Sequence, residues 1–257
     1  MNIVRNIIAA VTAIALATPA LAQPTIDVAA GEEPIRIAVV DSGVYAPPAD
    51  VNATITRYDA RKPKKGIVLE TEDRWKGSHG TLVTSIILRE TNRPLDILAY
   101  RAERKCGKIL CEMSPRSIAA AVRHAADNGA KVIQISSYGR MHHSQRKVLE
   151  QVAAEGVHIV LCAGNQGGLT TWMPLLHDNP EFIHVIGALD EDGNRAEFSA
   201  NGGSNDELID YRDGIALEVS DFEETSTMDG TSFSASLFTL ELIDRFASSV
   251  AFAQAAN

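Results

Sequence analysis

Short, nearly unbroken apolar runs recur along the chain at Ile35–Val40, Asp96–Tyr100, Lys131–Ile135, His158–Cys162 and Phe182–Ala188. They are rich in Val and Ile and do not alternate with polar residues. A strand covered on one face alternates, whereas a strand buried on both faces reads as one apolar run. The segments between them carry helical spacing with legible ends. "SPRSIAAAVRHAADNG" offers Ser114 as cap, Pro115 at the first helical position and Gly129 as stop. "SQRKVLEQVAAEG" places Val148, Leu149 and Val152 on one face and stops at Gly156. Strand and helix therefore alternate, which predicts an α/β fold: a doubly wound, mostly parallel sheet with helices on both faces. Such sheets gather their chemistry at the carboxyl ends of the strands, near a topological switch point. No internal repeat or low-complexity linker interrupts the pattern.

The first residues follow another pattern. "MNIVRNIIAAVTAIALATPALAQ" has one early cation, Arg5, an apolar centre from Ile7 to Ala17, and Ala20-Leu21-Ala22 before Gln23. This is the form of a secretory signal with a small-residue cleavage site, too short in its apolar part to span a bilayer comfortably. The expected organisation is a signal peptide over 1–22, a short extension over 23–34 and one domain over 35–257. The protein is thus expected to be exported, periplasmic or secreted, with no membrane association after cleavage.

The formal net charge of the 257-residue chain is −9, and removal of Arg5 with the signal makes it −10. An acidic balance argues against a nucleic-acid partner. The basic cluster Arg61-Lys62-Pro63-Lys64-Lys65 is soon met by Glu70, Glu72 and Asp73 and reads as a solvated loop. Three cysteines are too few for a disulfide scaffold. Cys106 and Cys111 lie close together around Gly107, so in an exported protein they are either a disulfide closing that loop or two free thiols. Cys162, in "HIVLCAG", reads as a small buried hydrophobe.

Three loops carry candidate chemistry. Asp41 ends the first strand in "IRIAVVDSGV", and a carboxylate there needs partners because an unpaired buried charge is expensive. His79 stands between Gly77 and Gly80 in "KGSHGTLVTSII", just ahead of a helix-like run. Ser232, in "DGTSFSA", opens the last helix, which runs towards Phe246. One hydroxyl suffices to cap a helix, and "GTSFSAS" supplies several. A serine becomes a useful nucleophile only when a base takes its proton and a third group orients that base. Asp, His and Ser are the residue types for those three roles.

The order Asp41, His79, Ser232 and the blocks "VVDSGV", "GSHGT" and "DGTSFSA" resemble the subtilisin-like serine peptidases, whose established order of triad residues this is. A fourth block, "VLCAGNQGG", is similar to the family's Ala-Gly-Asn-x-Gly segment. The resemblance covers about Ile35 to Phe246 and implies the family's three-layer fold and an acyl-enzyme mechanism. It makes Asp41, His79 and Ser232 the triad, and Asn165 an oxyanion donor beside the Ser232 N–H. In this family loss of that donor costs about 10²–10³ in kcat. "ISSYGR" is similar to the strand end that pairs with substrate, which implicates Ser136, Ser137, Tyr138 and Gly139, together with the segment around Arg104 to Glu112. Ala163, Gly164 and Trp172 fall along the pocket for the side chain before the scissile bond. Trp172 is expected to fill that pocket and favour small residues such as Ala, the alternative being an indole packed on the surface.

The chain also departs from the family. Leu82 and Ser236 stand where relatives usually have His and Pro, which puts local helix geometry in question and leaves proton transfer untouched. The segment "SIILRETNRPLDILAY" is too short for the family's strong calcium loop, so no metal and no cofactor is expected. Only twelve residues, 23–34, separate the expected cleavage from the first strand, too few for a folding propeptide. The enzyme then either folds unaided or is restrained by a separate inhibitor or chaperone protein. The expected partner is a peptide or unfolded protein substrate. The rival reading is a degenerate relative that binds peptides or partner proteins without cleaving them.

Overall fold

The computed structural model describes residues 33–45, 51–70, 78–106, 111–137, 141–176 and 181–255. The expected signal peptide over 1–22, almost all of the extension, and Tyr138 and Gly139 lie outside the described residues, as do the side chains of Cys106 and Cys111.

The chain opens with β1 (Ile35–Asp41), β2 (Ala53–Asp59) and β3 (Val68–Leu69), followed by α1 (His79–Glu90) and β4 (Leu95–Arg101). A hairpin of β5 (Glu103–Cys106) and β6 (Cys111–Met113) precedes α2 (Pro115–Asp127), β7 (Val132–Ile135), α3 (His143–Ala154) and β8 (His158–Cys162). Then come α4 (Met173–Leu176), β9 (Ile183–Leu189), β10 (Asp210–Asp213), the ribbon β11 (Leu217–Ser220) and β12 (Thr225–Met228), and α5 (Thr231–Ala255). Eight strands form one sheet in the order β10-β9-β8-β7-β1-β4-β2-β3. All pairings in it are parallel except that of β2 with β3.

The five apolar runs are five adjacent strands of this sheet, and both faces are covered, as their composition requires. Alternate residues of β1 enter opposite cores. Ala38 and Val40 pack with Val122, Ala125, Leu149 and Val152 of α2 and α3. Ile37 and Val39 pack with Val83, Ile86 and Ile87 of α1 and with Phe233, Phe238 and Leu242 of α5. From β1 the chain first lays down β2 and β3 at one edge, returns to insert β4 between β1 and β2, and then builds β7, β8, β9 and β10 on the other side of β1. The sheet therefore changes direction between β1 and β7, and the carboxyl ends of those two strands are Asp41 and the approach to Ser136. The basic cluster is a short 3₁₀ turn, Pro63–Lys65, preceded by an ion pair between Arg61 and Asp59 at 2.6 Å.

Candidate active site

Asp41 is fully buried at the end of β1. Its carboxylate accepts from the Ser42 N–H at 2.6 Å, and both oxygens lie close to His79 Nδ1, Oδ1 at 3.0 Å and Oδ2 at 2.9 Å. A carboxylate facing Nδ1 requires a proton on that nitrogen, which leaves Nε2 of the neutral ring as the basic atom. Burial is the largest influence on His79 and pulls its pKa down. The charge of Asp41 and its hydrogen bond act together in the other direction, and the outcome lies above the ordinary value of 6.5.

His79 is the first residue of α1, and Ser78 caps the helix through Oγ, which accepts from the Thr81 N–H at 3.3 Å. Gly80 is required by close approach: a Cβ there would stand 2.4 Å from the Gly43 carbonyl oxygen and 3.0 Å from Asp41 Cβ. The same contact explains why the helix can begin directly against the strand end that carries Asp41.

Ser232 lies in the first turn of α5, 8% exposed. The Phe233 and Ser234 N–H groups bond to the Gly230 carbonyl, and the Thr231 N–H bonds to Asn165 Oδ1 at 3.0 Å. Helix starts leave N–H groups without helical partners, and that of Ser232 has none among the described residues. Asn165 is exposed at the loop after β8 and is held by Thr231, whose Oγ1 also donates to Oδ1 at 2.8 Å. With Oδ1 engaged twice, Asn165 Nδ2 is a donor without a partner among the described residues. It stands beside Gly230, where an added Cβ would meet it at 3.2 Å. Thr231 was not singled out by the sequence reading. Its Oγ1 also accepts from the Gly164 N–H at 3.1 Å, so one threonine clasps the Asn165 loop to the start of α5. Its position directly before Ser232 is the signal that could have found it.

The helices α1 and α5 bring His79 and Ser232 to one place. The Ser236 hydroxyl donates to the Val83 carbonyl at 3.1 Å. These residues follow Ser232 and His79 by four, so the helices meet one turn below the two chemistry-bearing side chains. The ring of Phe233 lies 5.8 Å from that of His79. Among the described residues no hydrogen bond joins His79 to Ser232. Hydrogen bonds of this kind are often long without substrate.

Of the expected substrate contacts, Ser136 and Ser137 follow β7 with their side chains turned inward, 6% and 5% exposed. Ser136 Oγ accepts from Gln134, and the Ser137 carbonyl accepts from the Cys162 thiol at 3.4 Å. Burial pushes that thiol up to about 12, so it stays protonated and donates. Ala163 and Gly164 are buried at the end of β8, and the Ala163 N–H is engaged by the Ile186 carbonyl.

Trp172 corrects the sequence reading. The indole neither projects into an open pocket nor packs on the surface. It is 2% exposed, in the core with Ala163, Leu175 and Leu176. Its Nε1–H donates to the Cys162 carbonyl at 2.9 Å. A buried indole needs an acceptor, and the carbonyl ending β8 supplies it, so the ring supports segment 162–164 from beneath. The argument for a preference for small side chains, which required that ring inside the pocket, loses its basis. In the loop that follows, Leu169 is the large apolar side chain turned to solvent, 70% exposed.

A model of the subtilase family, peptidase family S8, matches residues 32–239. A thermophilic serine proteinase of Bacillus sp. (strain AK1) is 30% identical over 187 residues, 68% of this chain and 43% of that protein. The chain thus spans less than half the length of that curated relative. Among solved structures, the prenylagaramide maturation protease PagA superposes with a TM-score of 0.62 at 22% identity, covering 80% of this chain and 73% of that one. A cold-adapted subtilisin-like serine proteinase gives 0.61 at 15% identity, covering 79% and 71%. At these identities the superpositions establish the fold: the subtilisin-like three-layer α/β arrangement.

Proposed function

The chain belongs to the subtilase family, and from that premise we propose that it is an exported serine endopeptidase acting on peptides or unfolded protein. The observation that carries this reading is the Asp41–His79 pair, a fully buried carboxylate 2.9 Å from the Nδ1 of an imidazole whose Nε2 is left basic. Such a pair at a strand end, beside a helix whose first turn holds a serine, is expensive to maintain for packing alone.

His79 Nε2 takes the proton of Ser232 Oγ as the oxygen attacks the peptide carbonyl carbon. Asp41 holds the ring in the Nδ1–H form and stabilises the imidazolium. The oxyanion of the tetrahedral intermediate is held by Asn165 Nδ2–H and the Ser232 N–H, the two donors that stand ready at the start of α5. The intermediate then expels the amine, which receives the proton from His79, and leaves an ester on Ser232. Water, deprotonated by the same imidazole, hydrolyses that ester. The substrate backbone would add as a strand along Ser136 to Gly139. Incubation of the mature chain with unfolded casein should yield fragments, and the Ser232→Ala variant should yield none above background. Equal cleavage by both proteins, or cleavage by neither, would remove the enzyme reading and leave a peptide-binding relative.

A further inference from the structure

In β7 the residues Val132, Ile133 and Ile135 are apolar, but between them stands a fully buried amide, Gln134. Its alternation with Val132 places it on the face of the sheet covered by α1 and α5. An apolar side chain would serve a core there with no polar groups to satisfy, whereas a buried amide must find partners for two donors and an acceptor. Gln134 finds them on the elements that carry the candidate site. Nε2 donates to Ser136 Oγ at 3.1 Å and to Ser236 Oγ at 3.0 Å, with the Ser232 carbonyl a longer neighbour at 3.4 Å. Oε1 accepts from Thr239 Oγ1 at 2.8 Å. Ser236, having accepted from Gln134, donates its own hydrogen bond to the Val83 carbonyl of α1.

Ser232, Ser236 and Thr239 are spaced by four and three, so they form one polar stripe along α5. A single amide therefore reads three positions on the nucleophile helix, the strand end of Ser136 and, through one hydroxyl, the helix of His79. Sliding α5 by one turn, about 5.4 Å, or rotating it would break all of these bonds together except the one from Gln134 to Ser136. Ser236 stands where family members usually have proline, and a proline there would have no hydroxyl to bridge Gln134 and Val83. We propose that Gln134 is a positioning residue: with Ser236 and Thr239 it fixes the register of α5, and so the place of Ser232 relative to His79 and the substrate strand. This rests on the reading of Ser232 as nucleophile. Misplacement of a reacting group by about 1 Å can cost about 10²-fold in rate, so the network should be visible in kinetics as well as in stability.

The test compares the second-order rate of labelling by a serine-directed fluorophosphonate, alongside a thermal melt, in the wild type, Gln134→Met, Thr239→Val, the double variant and Thr239→Ser. Thr239 lies about 10 Å along the helix from Ser232 at 1.5 Å per residue. Its influence on acylation must therefore pass through the network. Folded Gln134→Met and Thr239→Val should each label about tenfold or more slowly, with the midpoint of the pH–rate profile unmoved because the base is untouched. The double variant should be no slower than Gln134→Met alone, since both break one network. Thr239→Ser, which keeps the hydroxyl, should label at the wild-type rate. Thr239→Val preserves side-chain volume, so it carries the test if Gln134→Met does not fold. Wild-type rates in the folded valine variant, whatever its melting temperature, would overturn the proposal and reduce the network to core stability. A wild type that takes no label would refute the nucleophile reading itself.

Discussion

At the scale of the residue, the chemistry turns on a balance at His79. Burial alone would lower the pKa of the imidazole, and Asp41 outweighs it, leaving the pKa above 6.5. The base works only when neutral, so kcat/KM should fall as pH drops through that raised value, in a single one-proton limb. In Asp41→Asn the raising charge is gone while burial persists. The limb of the residual activity should therefore move to lower pH, and loss of the correct tautomer should cut kcat by about 10⁴-fold. Rates measured from pH 4 to 9 decide this, and a profile flat down to pH 4 in the wild type would exclude histidine as the base. Asp41, His79, Ser232 and Asn165 stood out in the sequence because each sits in a compact block where few residue types meet the chemical demand, and the structure sets Asp41 against His79 and Asn165 against the start of α5. Gln134 and Thr231 were not, because a buried amide in "KVIQI" and a threonine in a helix start look ordinary until their partners arrive from distant segments. Trp172 was misplaced for the converse reason: its number fixed the loop it belongs to, but the direction of the ring depends on an acceptor ten residues earlier.

At the scale of the element, strands were legible where both faces are buried. β2 and β10 escaped because they lie towards the rims of the sheet, half-buried, with Thr54, Thr56, Asp210 and Arg212 among their residues. Helix stops at Gly129 and Gly156 were readable because both glycines have positive φ, a conformation that other residues rarely adopt. The cap of α3 is His142, whose side chain accepts from the Ser144 N–H. The β5–β6 hairpin bears on the cysteines. Its backbone register sets Cys106 opposite Cys111. Antiparallel partners have Cα atoms about 4.5–5.5 Å apart, within the range of about 4.4–6.8 Å that a disulfide spans. With the proposed export to an oxidising compartment, the protein should carry this bond. Denatured without reductant, it should alkylate at Cys162 alone, and at all three cysteines after reduction. Alkylation of all three without reduction would show that Cys106 and Cys111 are free thiols.

At the scale of the whole molecule, the order of the sheet does the assembling. The switch in building direction falls between β1 and β7, Asp41 ends β1 there, and α1 and α5 cover the same face of the sheet. The alternation of strands and helices made the fold class legible, while strand order and the late ribbon β11–β12 depend on pairings that no local pattern encodes. Among the described residues no three His, Cys, Asp or Glu side chains gather as ligands for a metal ion. Because the segment after His79 is too short for the family's calcium loop, EDTA should leave the melting temperature and activity nearly unchanged, and a large drop restored by calcium would contradict that reading. The central claim is that this fold gathers three distant segments so that one serine alone is activated. Its most direct test is labelling of the native chain with a serine-directed fluorophosphonate and mapping of the adduct by peptide mass spectrometry. The account predicts one adduct, on Ser232, lost in His79→Ala; an adduct on Ser42, Ser136 or Ser234, or undiminished labelling of the His79→Ala variant, would contradict it.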